Sequence, residues 1–518
     1  MRLADYLDKG ASLGPDAPCL TLDGQVRSYG RVVEDSRAVA RALRRSGVAP
    51  GASVGILSAN DPVAFTCVFG ISRAGAVWCP INPRNAAEEN RELLALFGCV
   101  ALVFQARFAA LVAEIAPRLP TLTTLVCLDD ESPAVEGAVG FAAWLAAAVD
   151  EPQKEDTQSD DAGGSPNRLA ALVGTGGTTG RPKAVELTEG NLETMSAITL
   201  MAYPLDRRPV YLALAPLTHA AGVLCFPILA QGGEIVVMAA PDVGGFLRLV
   251  ERHRVTHTFL PPTLIYMVLD HPDLDATDLS SLQCFWYGAA PMSTVRLAQA
   301  CERIGPMAQL FGQSEAPMMV STMSPADHRR PDGTLALERF ASAGRPSPLV
   351  TVAIMADDGS LRPPGERGEI VVRSSLVMAG YHRNPEATAE VSTHGWHHTG
   401  DIGYLDADGY LFIVDRAKDM IITGGFNVYS AEVEQALMAH PAVHEAAVVG
   451  LPDDKWGERV TAVVQLVPGR SVEPAELIVF VKGRIGSVKA PKQVEFWDDL
   501  PRSKVGKVIK PEIRVSLS

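Results

Sequence analysis

A chain of 518 residues, 47% hydrophobic and 20% charged, is long enough to bury two or more packed cores. Its formal net charge of −14 argues against nonspecific binding to nucleic acid or to an anionic membrane, whose phosphates it would repel. The cysteines (Cys19, Cys67, Cys79, Cys99, Cys127, Cys225, Cys284, Cys301) have no Cys-x-x-Cys spacing, which favours buried reduced thiols over a zinc site or a disulfide framework.

Residues 1–10 lack an apolar leader core, no uninterrupted apolar run reaches membrane-spanning length, and Val515-Ser516-Leu517-Ser518 is not the Ser-Lys-Leu address. A cytoplasmic location is therefore expected. Short β-branched runs then alternate with amphipathic segments: 100–104 reads as a strand, 106–119 as a helix and 122–128 as the next strand. This alternation predicts α/β architecture with largely parallel sheets. Residues 151–167 are polar, acidic and rich in Gly, Ser and Asp, and read as a surface connection.

The apolar run 169–173 predicts a strand, from whose end leaves Thr175-Gly176-Gly177-Thr178-Thr179-Gly180-Arg181-Pro182-Lys183. Its glycines let backbone N–H groups turn toward an anion where a Cβ would obstruct, and the Thr hydroxyls and Lys183 add donors and positive charge. The loop reads as a polyphosphate grip. It is not a Walker A loop, because no Gly-Lys-Ser/Thr closes it and Pro182 separates Arg181 from Lys183. Toward the end of the chain an amphipathic helix is expected near 431–440, followed by strands at 443–451 and 460–466.

Further unusual segments follow in a fixed order: Pro216-Leu217-Thr218-His219, Tyr287-Gly288-Ala289-Ala290-Pro291, Phe311-Gly312-Gln313-Ser314-Glu315, Trp396-His397-His398-Thr399-Gly400-Asp401, Asp415-Arg416-Ala417-Lys418-Asp419, Gly424-Gly425-Phe426-Asn427 and the stretch 501–507 ending in Gly506-Lys507. Together with Gly75-Ala76-Val77 and Pro80-Ile81-Asn82-Pro83-Arg84, they resemble the acyl-adenylate-forming superfamily, most closely its acyl-CoA synthetases and carboxylate-CoA ligases. The resemblance runs through almost the whole chain.

It implies a large N-terminal domain of layered βα subdomains, residues 1–417, which binds AMP and the acyl group. A small mobile α+β domain, residues 418–518, would turn about Lys418. Matched position by position, Thr175, Thr178, Thr179 and Lys183, with Gly176, Gly177 and Gly180 between them, would hold the β and γ phosphates of ATP. Ser314 would touch the α-phosphate and Glu315 would ligate Mg²⁺. Gly288, Ala289, Ala290 and Pro291 would lie along the adenine, with Phe311 stacking on it and Gly312 and Gln313 completing that strand end. Asp401 would accept the ribose hydroxyls, supported by Arg416. Lys507 would bridge carboxylate and α-phosphate during adenylation and then withdraw, giving way to a face whose Gly424 and Gly425 leave a channel for the coenzyme A thiol. The implied cofactors are ATP/AMP, Mg²⁺ and coenzyme A, and the implied partner is a small carboxylic acid, with a homo-oligomer left open.

The reaction class follows from chemistry. A carboxylate is a poor acyl donor until attack on the α-phosphorus turns its oxygen into the leaving group AMP, and two anions meet only where cations and oriented donors surround the phosphates. His219 would lie over the carboxylate or gate the acyl pocket. Small residues Ala220, Ala221, Gly222 and Gly288 suggest space, with Phe259, Trp286, Met318 and Met319 as apolar walls. Between His219 and Pro262 the acids are Glu234, Asp242 and Glu251, in what read as exposed turn or helix positions, so an amino-acid substrate is disfavoured.

Three departures from the family pattern stand out: Ala184 after Pro-Lys, Gly176-Gly177 in place of Ser-Gly, and Ser430 in place of a frequent proline. Ala184 is tolerable if its φ is negative. The leading expectation is an ATP-dependent ligase joining a medium-chain fatty, aryl or cyclic acid to coenzyme A. An acyl-AMP synthetase serving a carrier-protein thiol or an amine is the alternative, and a non-enzymatic acyl or nucleotide sensor is disfavoured by Lys183, Glu315, Asp401 and Lys507.

Overall fold

The computed structural model describes residues 1–131, 133–149, 165–175, 182–203, 205–217, 220–416, 419–424, 426–453, 455–502 and 508–517. Among them, one large sheet runs in the spatial order Arg345–Pro346, Ala316–Met323, Met307–Gln313, Cys284–Tyr287, His257–Leu260, Val210–Ala213, Glu234–Val237, Pro18–Leu22, Gln25–Ser28. A second runs Gly380–Tyr381, Lys183–Thr188, Leu169–Thr175, Val77–Ile81, Ser53–Leu57, Cys99–Phe104, Thr124–Cys127, Ala138–Gly140. Both are parallel at their centres and antiparallel toward the hairpins that carry the expected phosphate and adenine loops. Parallel centres need cover on both faces, and the buried run Ser53–Leu57 has the continuous apolar character this requires.

Helices supply that cover, and their ends are written locally. Ser28 caps Tyr29–Arg45 through Arg31 N, and Asp61 caps Pro62–Arg73 through Val63 N and Ala64 N, with proline at the first helical position. The main core joins the layers through ring contacts such as Tyr6 on Phe226, 5.5 Å between centroids.

A third, antiparallel sheet contains Thr351–Met355, Gly368–Arg373, His397–Leu405 and Leu411–Arg416. Beyond it, Phe426–Val428, Ile421–Thr423, Gly457–Leu466 and Val443–Asp453 form a separate sheet with Gln493–Phe496 parallel on its flank, backed by helices Ser430–Met438 and Pro474–Ile485 around their own core. This unit meets the rest through Gln435 Nε2, which donates to Met292 O at 3.3 Å, and through His444 against the Tyr266 ring.

The expected alternation is present, with adjustments. The segment 106–119 is helical only over Ala109–Ile115, flanked by 3₁₀ turns at Ala106–Phe108 and Ala116–Arg118, because Pro117 has no N–H to continue the ladder. The strand expected at 122–128 is Thr124–Cys127, and the late strands lengthen to Val443–Asp453 and Gly457–Leu466 because they pair along their full length as a hairpin. Of the connection at 151–167, residues 151–164 lie outside the described residues. All the cysteines are free and buried. Among the described residues no helix is long and apolar enough to cross a membrane.

Candidate active site

Thr175 and Lys183 are cross-strand partners at the open end of the hairpin formed by Leu169–Thr175 and Lys183–Thr188. They frame the expected phosphate loop, whose residues Gly176, Gly177, Thr178, Thr179 and Gly180 lie outside the described residues. Ala184 is buried in the strand and has no positive φ, so the extra methyl packs without backbone strain.

Ser314 and Glu315 form the tip of a second hairpin, where Gln313 faces Ala316. The pairing slips between Phe311 and Gln313, and Gly312 fills the slip: a Cβ there would lie 2.4 Å from Met318 N. Met318 itself adopts a φ of 62°, part of the same irregularity.

These two hairpins are stitched together by a short segment that the sequence did not single out. Gly380–Tyr381 pairs with Glu186 and Val185 beside the phosphate hairpin, His382 N donates to Ala184 O at 2.8 Å, and Met378 N donates to Glu315 O at 2.7 Å. The Tyr381 hydroxyl donates to Glu315 Oε1 at 2.7 Å, while Lys183 Nζ stands 4.7 Å from the centroid of the Tyr381 ring. Glu315 Oε2 is engaged by no described side chain. No group of three or more His, Cys, Asp or Glu able to cage a metal occurs among the described residues. A cation here would be held by one carboxylate plus phosphate and water oxygens, the habit of Mg²⁺.

His397 stands on the same side of the site. It is 5% exposed, and burial holds its pKa below the ordinary histidine range against the opposing pull of Glu315.

The residues expected at the nucleotide come from the sheet that carries the Ser314–Glu315 hairpin and from the third, antiparallel sheet. Gly288 follows strand Cys284–Tyr287, and a Cβ at this position would lie 2.4 Å from the Leu310 carbonyl, so the absent side chain allows the Gly288–Pro291 turn to approach the strand carrying half-buried Phe311. Ala289, at φ 67°, and Pro291 are exposed and Ala290 is half-buried, leaving a small-residue ledge. Asp401, 4% exposed, faces Arg416 across adjacent strands, with Arg416 Nε 2.6 Å from Asp401 Oδ1.

Of the expected acyl walls, Phe259 and Trp286 are buried register partners on neighbouring parallel strands, and Met319 is buried as well. Asn60, another residue the sequence did not flag, holds the approach to the Pro216–His219 segment: its amide donates to the carbonyls of Ala215 and Met238 at 3.1 and 3.0 Å and its oxygen accepts Leu217 N at 2.8 Å. His219 lies outside the described residues. Of the acids weighed against an amino-acid substrate, Asp242 and Glu251 are exposed. Glu234 corrects the expectation: it is a partly buried strand residue that accepts the Thr21 hydroxyl at 2.6 Å, because parallel pairing brings the two strands together.

At the junction to the last hundred residues, Asp415 takes the backbone N–H and hydroxyl of Ser430, and Lys510 Nζ reaches the same hydroxyl and Glu434 Oε1, the latter at 2.8 Å. Burial raises the pKa values of Asp415 and Glu434, with Lys510 opposing in both cases; burial also works against the charge of Lys510, but the two carboxylates outweigh it and raise its pKa. Gly424 turns the Ile421–Thr423 hairpin at φ 57°, where a Cβ would meet the Trp456 ring at 3.1 Å. Gly425, Lys418 and Lys507 lie outside the described residues. No local pattern marks Tyr381, Asn60 or Lys510, since each acts on a residue distant in sequence.

Comparison with known proteins bears on this geometry. The family model described as AMP-binding enzyme matches residues 7–382, and that for the AMP-binding enzyme C-terminal domain matches residues 432–507. A medium/long-chain-fatty-acid–CoA ligase, FadD8, of Mycobacterium tuberculosis is 36% identical over 96% of this chain and 87% of its own. A feruloyl-CoA synthase of an Amycolatopsis species is 37% identical over 99% of this chain and 98% of its own. Among solved structures, the amide bond synthetase McbA from Marinactinospora thermotolerans superposes with a TM-score of 0.89 at 31% identity, covering 100% of both chains. The chain belongs to the AMP-binding enzyme family, the acyl-adenylate-forming superfamily, and to its acyl-CoA and carboxylate-CoA ligase type.

Proposed function

We propose that this AMP-forming acid–thiol ligase activates an apolar carboxylic acid of the medium-chain fatty, aryl or cyclic class and passes the acyl group to coenzyme A. In the first half-reaction a carboxylate oxygen attacks the α-phosphorus of ATP and the bond to pyrophosphate breaks. In the second, the thiolate of coenzyme A attacks the acyl carbon and AMP leaves.

The observation that carries this reading is the convergence of Lys183 and Glu315, from separate hairpins, on the single ring and hydroxyl of Tyr381. Thr175, the glycine-threonine loop and Lys183 hold the β and γ phosphates. Ser314 would contact the α-phosphate, Glu315 would hold Mg²⁺, and Asp401 with Arg416 would hold the ribose. A bound Mg²⁺ would neutralise phosphate charge. Lys507 draws the two anions together, His219 stands at the acyl pocket, and Gly424 and Gly425 line the thiol channel once residues 418–518 have turned about Lys418. The buried, free cysteines fit a reducing, cytoplasmic setting.

An ATP–pyrophosphate exchange screen over fatty, aryl and cyclic acids, followed by product analysis with coenzyme A, tests the reading. Exchange is expected with an apolar acid and a thioester product with coenzyme A. Likeness to an amide bond synthetase favours one second reading, in which an amine is the acceptor. Amide formation without thioester formation would establish it.

A further inference from the structure

We propose that Tyr381 is a positioning residue for both ends of the triphosphate site, its ring seating Lys183 and its hydroxyl orienting the Glu315 carboxylate. The proposal rests on the reading that Glu315 anchors the divalent cation and Lys183 the phosphates.

Tyr381 is 8% exposed, yet its polar end is directed at a charged group rather than at backbone or solvent. A hydroxyl that donates to Oε1 at 2.7 Å restrains the carboxylate and would leave Oε2 to meet a cation. A phenol is protonated at neutral pH, so the hydroxyl serves as the donor in this contact.

The same ring presents its face to Lys183 Nζ at 4.7 Å, within cation–π range. That contact limits the ammonium's freedom while leaving its three N–H donors available, which suits a group whose task is to meet phosphate oxygens.

The backbone keeps the ring there. Gly380–Tyr381 is hydrogen-bonded as an edge strand to the strand that begins with Lys183, Tyr381 N donates to Thr388 Oγ1 at 2.9 Å, and Met378 N is bonded to Glu315 O. The phosphate lysine and the metal carboxylate, carried by different sheets, are thus held in one register by a single short strand. Outer partners of a metal-binding carboxylate typically contribute about 10- to 100-fold in metal affinity.

The test uses full-length Tyr381→Phe, Tyr381→Leu and Glu315→Gln proteins. Two binding measurements serve: Mn²⁺ affinity of the complex with a non-hydrolysable ATP analogue, by electron paramagnetic resonance, and metal-free affinity for that analogue in EDTA, by calorimetry. Tyr381→Phe keeps the ring and loses the hydroxyl, so Mn²⁺ binding should weaken about tenfold or more while metal-free affinity is retained. Tyr381→Leu should weaken both, and Glu315→Gln should lose Mn²⁺ binding. Wild-type Mn²⁺ affinity in Tyr381→Phe, with loss in Glu315→Gln, overturns the proposal and leaves the metal assignment standing. Wild-type Mn²⁺ affinity in Glu315→Gln removes the metal assignment and the proposal together. If Tyr381→Phe loses both affinities along with its melting temperature, the tyrosine only supports the fold and the proposal fails.

Discussion

The carboxylate of Asp415 takes both the backbone N–H and the side-chain hydroxyl of Ser430, joining the end of strand Leu411–Arg416 to the first turn of helix Ser430–Met438. A proline at 430 would provide neither donor, so this junction depends on a departure from the family pattern. Lys510 completes it by pairing with Glu434 while also reaching Ser430, and the two charged side chains expose 15% and 13% of their surface.

Lys510→Met should therefore leave a carboxylate without its cation and cost about 3 kcal/mol in the unfolding of the C-terminal unit. The deficit should depend on pH. Without Lys510 the folded-state pKa values of Glu434 and Asp415 rise further; a raised folded pKa contributes stability below the unfolded value that is lost as pH rises through the folded one. Urea unfolding followed by the fluorescence of Trp456 and Trp497 should show a larger deficit at pH 8 than at pH 5. An equal deficit at both would mean the carboxylates do not carry the effect.

Two substitutions should damage opposite halves of the reaction. If Lys507 joins carboxylate and α-phosphate as proposed, Lys507→Ala should lose pyrophosphate exchange while transfer from supplied acyl-AMP to coenzyme A continues. Gly424→Leu, whose side chain at this left-handed position would meet the Trp456 ring, should do the reverse if Gly424 lines the thiol channel as proposed. Parallel loss of both activities in both folded variants would contradict a rotating small domain.

Asp401 should make the enzyme sensitive to the ribose. Losing one hydroxyl partner of a carboxylate only 4% exposed costs about 1 to 3 kcal/mol, so 2′-deoxy-ATP should be used with kcat/KM lower by roughly 5- to 150-fold. Equal efficiency with ATP would remove Asp401 from the nucleotide site.

His328 is 2% exposed, bonded to Ser324 O and the Tyr287 hydroxyl, and held by burial at a pKa of about 4 instead of 6.5. Its folded pKa is depressed, so the neutral ring's contribution is full above pH 6.5 and lost as pH falls toward 4. The loss should approach about 3 kcal/mol. Guanidinium unfolding at pH 7 and pH 4.5 should show a smaller pH difference in His328→Gln than in the wild type; an unchanged difference would mean other groups set the acid sensitivity.

What could be read from residues alone was local. The run 169–173 ahead of Thr175 and the glycines around the loop fix a strand and its turn, and the alternation of strands and helices fixes the α/β class. Chain breaks were legible where a single residue decides them, yet the 3₁₀ turn at Pro117 shows that amphipathic spacing over 106–119 does not by itself mark where a helix ends. Ala184 could be judged only with a condition, its φ, which the strand pairing then met.

By itself, the sequence determined the order of the motifs and the residue types that can meet phosphate, ribose and a hard cation, because backbone hydrogen bonding and periodicity act between near neighbours. Which side chains converge was left to the tertiary structure. Tyr381 reaches Glu315 across 66 positions and Lys510 reaches Ser430 across 80. Partners so far apart are chosen by which strands lie side by side and which face a helix turns inward, properties of the assembled sheets that no short stretch of chain encodes.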